Sequence, residues 1–437
     1  MVRAIWKIIP ILLSAALLLS GCGLLTLEEL YCPPKRSNES DNLQAVIDKA
    51  MKNLTYCAPV SGEHQQAVQK ADLDGDGIDE YLLFAQDNSE TPLKILIFCQ
   101  LASGYVLMDT IEGFGFNFDF VEYAQMDDRA GLEIVVGRQV SDELARSVSV
   151  YRFTSGFAKQ LLSISYTRAD VEDLDEDGNH ELLLLNAGES ERGNGMLMLY
   201  DYADGKFDRS VVANISQPVS ALQRMDLSLL SDGSKGVFVT SVAEDSSLVV
   251  DTFALTAGSI KPVSLGLPIP VIRNYPVYPV DIDEDGCIEI PEMIAMPALR
   301  SNEKKEFAIG WYNLDSNGLR ADKAYTYQHF ADGWYLFLKG EWLGNLTVEQ
   351  TEDGCVVYMR QNKEAAFEPV FTIYTLTGSD REEQAIMDGR TILYKNDNII
   401  FAAKLEPQAK DYKITAYTLK DLFHPVRMER NFDEEEE

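Results

Sequence analysis

Three segments of this chain space carboxylates in a way suited to a hard cation. Asp72, Asp74 and Asp76 stand at alternate positions, Gly77 follows at position 6, and Glu80 stands at position 9. The spacing returns as Asp173, Asp175, Asp177, Gly178 and Glu181, and again as Asp281, Asp283, Asp285, Gly286 and Glu289. Alternate acids turn their oxygens into one concavity, the glycine permits the sharp turn, and about 6–8 such oxygens satisfy Ca²⁺. One Ca²⁺ is therefore expected in each of the three loops, with the backbone carbonyls of Ile78, Asn179 and Cys287 adding to the side chains. The third copy also fits a 12-residue EF-hand with Glu292 at its end. Pro291 inside it and the Tyr-Pro-Val-Tyr-Pro-Val run before it are poor helix material and argue against that reading.

The loops recur on a longer period that organises the chain. Full copies start 101 and 108 residues apart, and weaker copies stand midway, at Asp127–Asp128–Arg129 through Glu133 and at Asp232–Gly233. Arg129, Ser228 and Leu230 occupy ligand positions there, so no metal is expected in those two. A second landmark, a glycine turn between apolar runs, falls at Gly104, Gly156, Gly205, Gly258 and Gly318, with spacings of 52, 49, 53 and 60. Each unit reads as four short strands; in the first, these are residues 81–84, 94–99, 105–111 and 118–124. Four strands every ~50 residues describe a propeller blade. The expected fold class is all-β, a β-propeller of about five four-stranded blades over residues 58–325. A smaller C-terminal α+β domain over 326–430 and an acidic tail over 431–437 follow; the alternative is that the C-terminal strands make two further blades, seven in all.

An acidic loop set between strands and repeated at blade spacing resembles the FG-GAP/VCBS repeats of integrin-α-like β-propellers, over residues 60–325. The resemblance implies calcium in the loops.

The first 21 residues read as a targeting segment. Arg3 and Lys7 precede the apolar run of residues 8–19, which at 12 residues is shorter than the ~20 needed to span a bilayer. Leu19-Ser20-Gly21-Cys22 resembles the bacterial lipobox, which implies that Cys22 is acylated and becomes the first mature residue, holding the chain on the extracytoplasmic side of a membrane. Residues 22–39, with Pro33 and Pro34, read as a tether. A helix over 40–57, capped by Asp41, is expected from Leu43, Val46, Ile47, Ala50, Met51 and Leu54. The chain has 38 basic against 70 acidic side chains, a net charge of −32, and removal of the leader with Arg3 and Lys7 leaves −34. Nucleic acid is excluded as a partner on charge. Cys32 and Cys57 flank the helix and are a candidate disulfide, whereas no cysteine pair has zinc or redox spacing.

No catalytic constellation stands out. His64, His180, His329 and His424 are scattered, with His180 expected to face solvent, and no nucleophile elbow or phosphate loop is present. The pattern past residue 325 reads as strands, among them 413–418, and one short helix with Ser379 and Glu383 near capping-box spacing. The function expected is a calcium-stabilised binding or scaffold module for a protein or glycan partner at the cell surface. The alternative is a glycan-active enzyme with a carboxylate site at the propeller axis.

Overall fold

The computed structural model describes residues 38–426 except 141–144, 188–192, 204, 257, 301–304 and 352–353. The leader, Cys22, Cys32, most of the tether and the acidic tail lie outside the described residues. Among the described residues no helix is long and apolar enough to cross a membrane.

The chain is mostly β, in successive antiparallel sheets. The first sheet holds Val68–Ala71, Glu80–Gln86, Leu93–Leu101 and Gly104–Gly113, with the short strand Thr55–Tyr56 beside Val68–Ala71 on the same neighbour. Asn117–Ala124, Glu133–Gln139, Arg146–Thr154 and Phe157–Tyr166 form the second, and Arg168–Glu172, Glu181–Ala187, Asn194–Ala203 and Lys206–Pro218 the third. The fourth runs Leu222–Leu229, Lys235–Val242, Leu248–Thr256 and Ser259–Ile269. In the fifth, Ile290–Ala295, Phe307–Leu314, Arg320–His329 and Trp334–Phe337 are joined by Phe423–Pro425 from the chain's far end. A sixth takes Leu346–Gln350, Cys355–Met359, Glu368–Leu376, Ile400–Leu405 and Thr391–Lys395.

The phase of the repeat differs from the expected one. Residues 118–124 do not close the first unit; they are the first strand of the second sheet and pair with Glu133–Gln139. The acidic loops at Asp72 and Asp173 are thus hairpins inside a sheet whose last strand follows the glycine turn, whereas the loop at Asp281 precedes the fifth sheet and is closed by the single bridge Val280–Glu289. The five turn glycines all have positive φ, from 67° at Gly258 to 111° at Gly104, which explains their type.

Neighbouring sheets pack face to face in chain order. Leu182 and Leu184 point to a core shared with Val135, Val148 and Val150 of the second sheet, while Leu183 and Leu185 point to one shared with Val237, Val239 and Phe253 of the fourth. Alternation in a strand covered on both faces explains four consecutive buried leucines. Comparable cores join the first sheet to the second, the fourth to the fifth, and the fifth to the sixth. The outer face of the first sheet is covered by a helix instead, through Ile47 against Leu83, Ala85, Leu96 and Phe98.

Several local expectations change. The helix begins at Asn38, so Asp41 lies within it rather than capping it, and it ends at Ala50 with a 3₁₀ turn and a strand after it. No side chain caps Arg381–Gln384, whose N-cap residue is Asp380; Ser379 makes no capping box. The box forms instead between Thr415 and Thr418, at the start of Ala416–Leu422, where a strand over 413–418 was expected. Cys57 is a buried free thiol.

The boundary expected at 325/326 falls inside the strand Arg320–His329. Tyr327, Trp334 and Leu336 of the fifth sheet share one core with Val357, Phe371 and Phe423. A chain ended at residue 325 is accordingly expected to lose cooperative unfolding, because it exposes the apolar face of Met296 and Ala308. Urea denaturation followed by circular dichroism checks this; a cooperative transition at the midpoint of the whole chain would overturn it.

Candidate metal centres in the acidic loops

The loops share one frame. The residue before position 1 pairs across the hairpin with position 9: Ala71 with Glu80, Glu172 with Glu181, and Val280 with Glu289. The weaker second copy keeps it, Ala124 pairing with Glu133. Position 2 is a buried apolar anchor, Leu73, Met126, Leu174 or Ile282. Its backbone N–H donates to Oε2 of the position-9 glutamate, at 2.9, 3.0, 2.7 and 3.1 Å respectively. All four glutamates are buried, Glu289 fully.

Above this glutamate the aspartates hold the turn. Asp72 Oδ2, Asp173 Oδ2 and Asp281 Oδ2 accept from the N–H of Gly77, Gly178 and Gly286. Ligand atoms within 4.8 Å of one another come from Asp72, Asp74 and Glu80; from Asp173, Asp175 and Glu181; and from Asp281, Asp283 and Asp285. Asp76 and Asp177 stand outside these groups and accept from the N–H of Ile78 and Asn179. Glu289 is also outside its group, yet its Oε1 is buried without a hydrogen-bond partner, as is Asp173 Oδ1. A buried carboxylate oxygen with no donor carries a desolvation cost that a cation offsets. The donor set is all oxygen, so the residues fit a hard divalent ion.

The electrostatics agree. Burial, assisted by the neighbouring aspartates and opposed by the backbone bond, pushes Glu80, Glu181 and Glu289 up to about 7. Burial and the adjacent acids also raise Asp74 and Asp283.

The second copy shows what satisfies the frame without these acids. Arg152, from the third strand of its sheet, donates from Nε to Glu133 Oε1 at 2.7 Å. Its Nη2 lies 2.7 Å from Asp127 Oδ2, an ion pair too bent to be a hydrogen bond. Its Nη1 donates to Tyr202 of the next sheet. Thus a guanidinium stands between positions 3 and 9. The fourth copy has a shorter hairpin, Leu229 pairing with Lys235, and buried Leu230 packs where Gly236 leaves room. The third full loop is intermediate, because Lys323 binds Asp285 and lies 3.9 Å from Asp283.

The loops also touch one another. Leu132 N–H donates to Asp72 O, His180 N–H to Gln125 O, and Ser228 Oγ to Gly286 O. A Cβ at Gly75 would lie 2.4 Å from that of Ala130, so glycine is required there. His180, expected in solvent, is half-buried with an unpartnered Nδ1.

One polar site escaped sequence reasoning. A cavity of about 860 Å³ opens between Asn117–Ala124 and Arg168–Glu172, with the segment Val60–Gln65 on one side. Asp119, Glu122, Arg146, Arg168 and Asp170 line it. Residues from adjacent sheets, some 50 positions apart, leave no spacing signal.

No protein-family model and no curated protein matches the chain. Among solved structures it is similar to a putative 6-phosphogluconolactonase from Bacteroides uniformis, at 11% identity over 72% of this chain and 94% of that one, TM-score 0.31. It is also similar to a rhamnogalacturonan lyase, at 11% identity over 68% and 73%, TM-score 0.31. The β-propeller domain of a protease from Pyrococcus furiosus matches at 12% identity over 71% and 89%, TM-score 0.28. Likeness of this degree carries neither a fold nor an activity to the chain.

If Arg152 replaces a metal, Arg152→Met strands two buried carboxylates and should cost about 3–5 kcal/mol. Urea denaturation measures this, and a loss below about 1 kcal/mol, the scale of an exposed pair, would show that the loop does not depend on the guanidinium.

Proposed function

We propose that this chain is a lipid-anchored extracytoplasmic binding module, a β-propeller-like stack of FG-GAP/VCBS-type sheets braced by Ca²⁺ in three acidic loops. The observation that carries the calcium reading is the contrast between copies. The loop with Arg152 has its buried Glu133 neutralised from within, whereas those closed by Glu80 and Glu181 present the same buried glutamate and clustered aspartates with no basic side chain paired to them among the described residues. Asp72, Asp74, Asp76 and Glu80, their counterparts Asp173, Asp175, Asp177 and Glu181, and the set Asp281, Asp283, Asp285 and Glu289 would hold the ions. Bound there, Ca²⁺ supplies charge and geometry rather than chemistry. Because the loops of the first and second, second and third, and fourth and fifth copies touch, it ties sheet to sheet and presents a stiff surface to a protein or glycan partner. Cys22, with the lipobox-like residues before it, supports the anchor and the cell-membrane location.

A second reading, a glycan-active enzyme, is favoured by one observation, the presence of Asp119, Glu122 and Asp170 on a single cavity. Against it, Asp119 is already engaged by Tyr166 Oη and by Arg146 Nε at 3.4 Å. Release of reducing sugar or unsaturated product from oligosaccharides would favour the enzyme.

Calorimetric titration after EDTA treatment is expected to show Ca²⁺ binding near 10⁻⁴–10⁻³ M, roughly 1.4 kcal/mol of stability per site at tenfold excess over Kd. The melting temperature should fall in chelator. Asp74→Ala and Asp175→Ala should each remove one ion, and Lys323→Met should strengthen the site at Asp281. No heat of binding together with unchanged melting would reject the brace.

The anchor has its own test: Cys22→Ser should move the chain out of the membrane fraction, and unaltered fractionation and mobility would reject lipidation.

A further inference from the structure

The cavity between the second and third sheets holds charged groups that the fold leaves incompletely matched. Arg168 donates from Nη1 to Thr167 O at 3.1 Å and enters no ion pair among the described residues. Asp170 has no side-chain partner there, and Glu122 has a backbone hydrogen bond from Glu63 and, as its basic neighbour, His64, whose Nε2 is 3.9 Å away. Both carboxyls are half-buried, and burial raises them above the usual carboxylate range. Phe120 and Val171 add apolar surface.

We propose that this cavity binds a saccharide, a hydroxyl-rich ligand of about two or three rings. Carboxylates and a guanidinium without full ion pairs around one cavity disfavour a simple ion of either sign, since a cation meets Arg168 and an anion meets Asp170 and Glu122. A hydroxyl group serves both, donating to a carboxylate and accepting from a guanidinium. Apolar patches beside such groups match the C–H faces of sugar rings, and the volume lies within the range of small-ligand sites, about 300–1,000 Å³. A zwitterionic peptide is the competing chemistry, and the dipeptide Lys-Glu, with two ammonium groups for the two carboxylates and a carboxylate for Arg168, presents it in full.

This deepens the binding-module reading and rests on it. The test applies the full-length chain, in calcium, to an array of neutral and uronate-containing oligosaccharides, with the dipeptide Lys-Glu as competitor. Binding to a defined subset is expected. Asp170→Asn and Arg168→Gln should each weaken it about tenfold or more, the scale of one hydrogen bond to a charged group, with melting temperatures unchanged. An array without binding, binding indifferent to both variants, or displacement by Lys-Glu would each overturn the proposal. Persistent binding in both variants would leave the module standing and place its site elsewhere, and the calcium titration is read separately from either.

Discussion

A buried glutamate that must find a positive partner governs this structure. In four hairpins the carboxylate at position 9 is fixed from below by the backbone N–H of position 2, which uses one oxygen; the other takes Arg152 at Glu133 and is buried without a partner at Glu289. Such a group in a protein interior is costly unless paired. The chain contains different answers to the same demand. Arg152 supplies a guanidinium in the second copy, and Lys323 stands beside the acids of the last. In the fourth copy position 9 is Gly236, and apolar Leu230 fills the space. The aspartates at positions 1, 3 and 5 of the full loops make sense beside this series, since they add negative charge where charge is already in excess.

The sheets impose a second constraint. Strands such as Leu182–Leu185 are apolar on both faces and need cover on both sides. Stacking in chain order provides it for the inner sheets and leaves the outer face of the first to be covered. Helix Asn38–Ala50 takes that role through Ile47. At the other end Phe423–Pro425 returns to Trp334–Leu336, tying the last sheets into one core.

The acids and their period were legible because a metal-type loop fixes residue types at fixed offsets, and a hairpin turn needs glycine at Gly104 and its counterparts. The phase was not legible. An apolar strand such as Asn117–Ala124 looks alike whether it ends one sheet or starts the next, since only hydrogen bonding with Glu133–Gln139 decides. Arg152 was invisible as a loop residue because it comes from a different strand, 19 positions after Glu133. Ser379 and Thr415 show the limit of local signals: both have capping chemistry, and only at Thr415 does the chain approach at the angle that lets two hydroxyls exchange bonds with the backbone.

Loops and cavity are mechanically one assembly. Strand Arg168–Glu172 runs from the cavity directly into Asp173, and Asn117–Ala124 runs from it into Gln125. At that end the loops are joined by His180 N–H to Gln125 O at 2.6 Å and by Asn179 Nδ2 to Asp128 Oδ1 at 3.3 Å. Asp170 is three residues from the first acid of a candidate metal centre, too far to be a ligand and close enough to share its backbone frame. An ion bound at Asp173, as proposed, would therefore fix the spacing of the two strands that carry Asp119, Glu122, Arg168 and Asp170. On the proposed reading, order in the loops would become preorganisation in the cavity, and an ion with no chemical step of its own would set how much entropy a ligand must lose on binding.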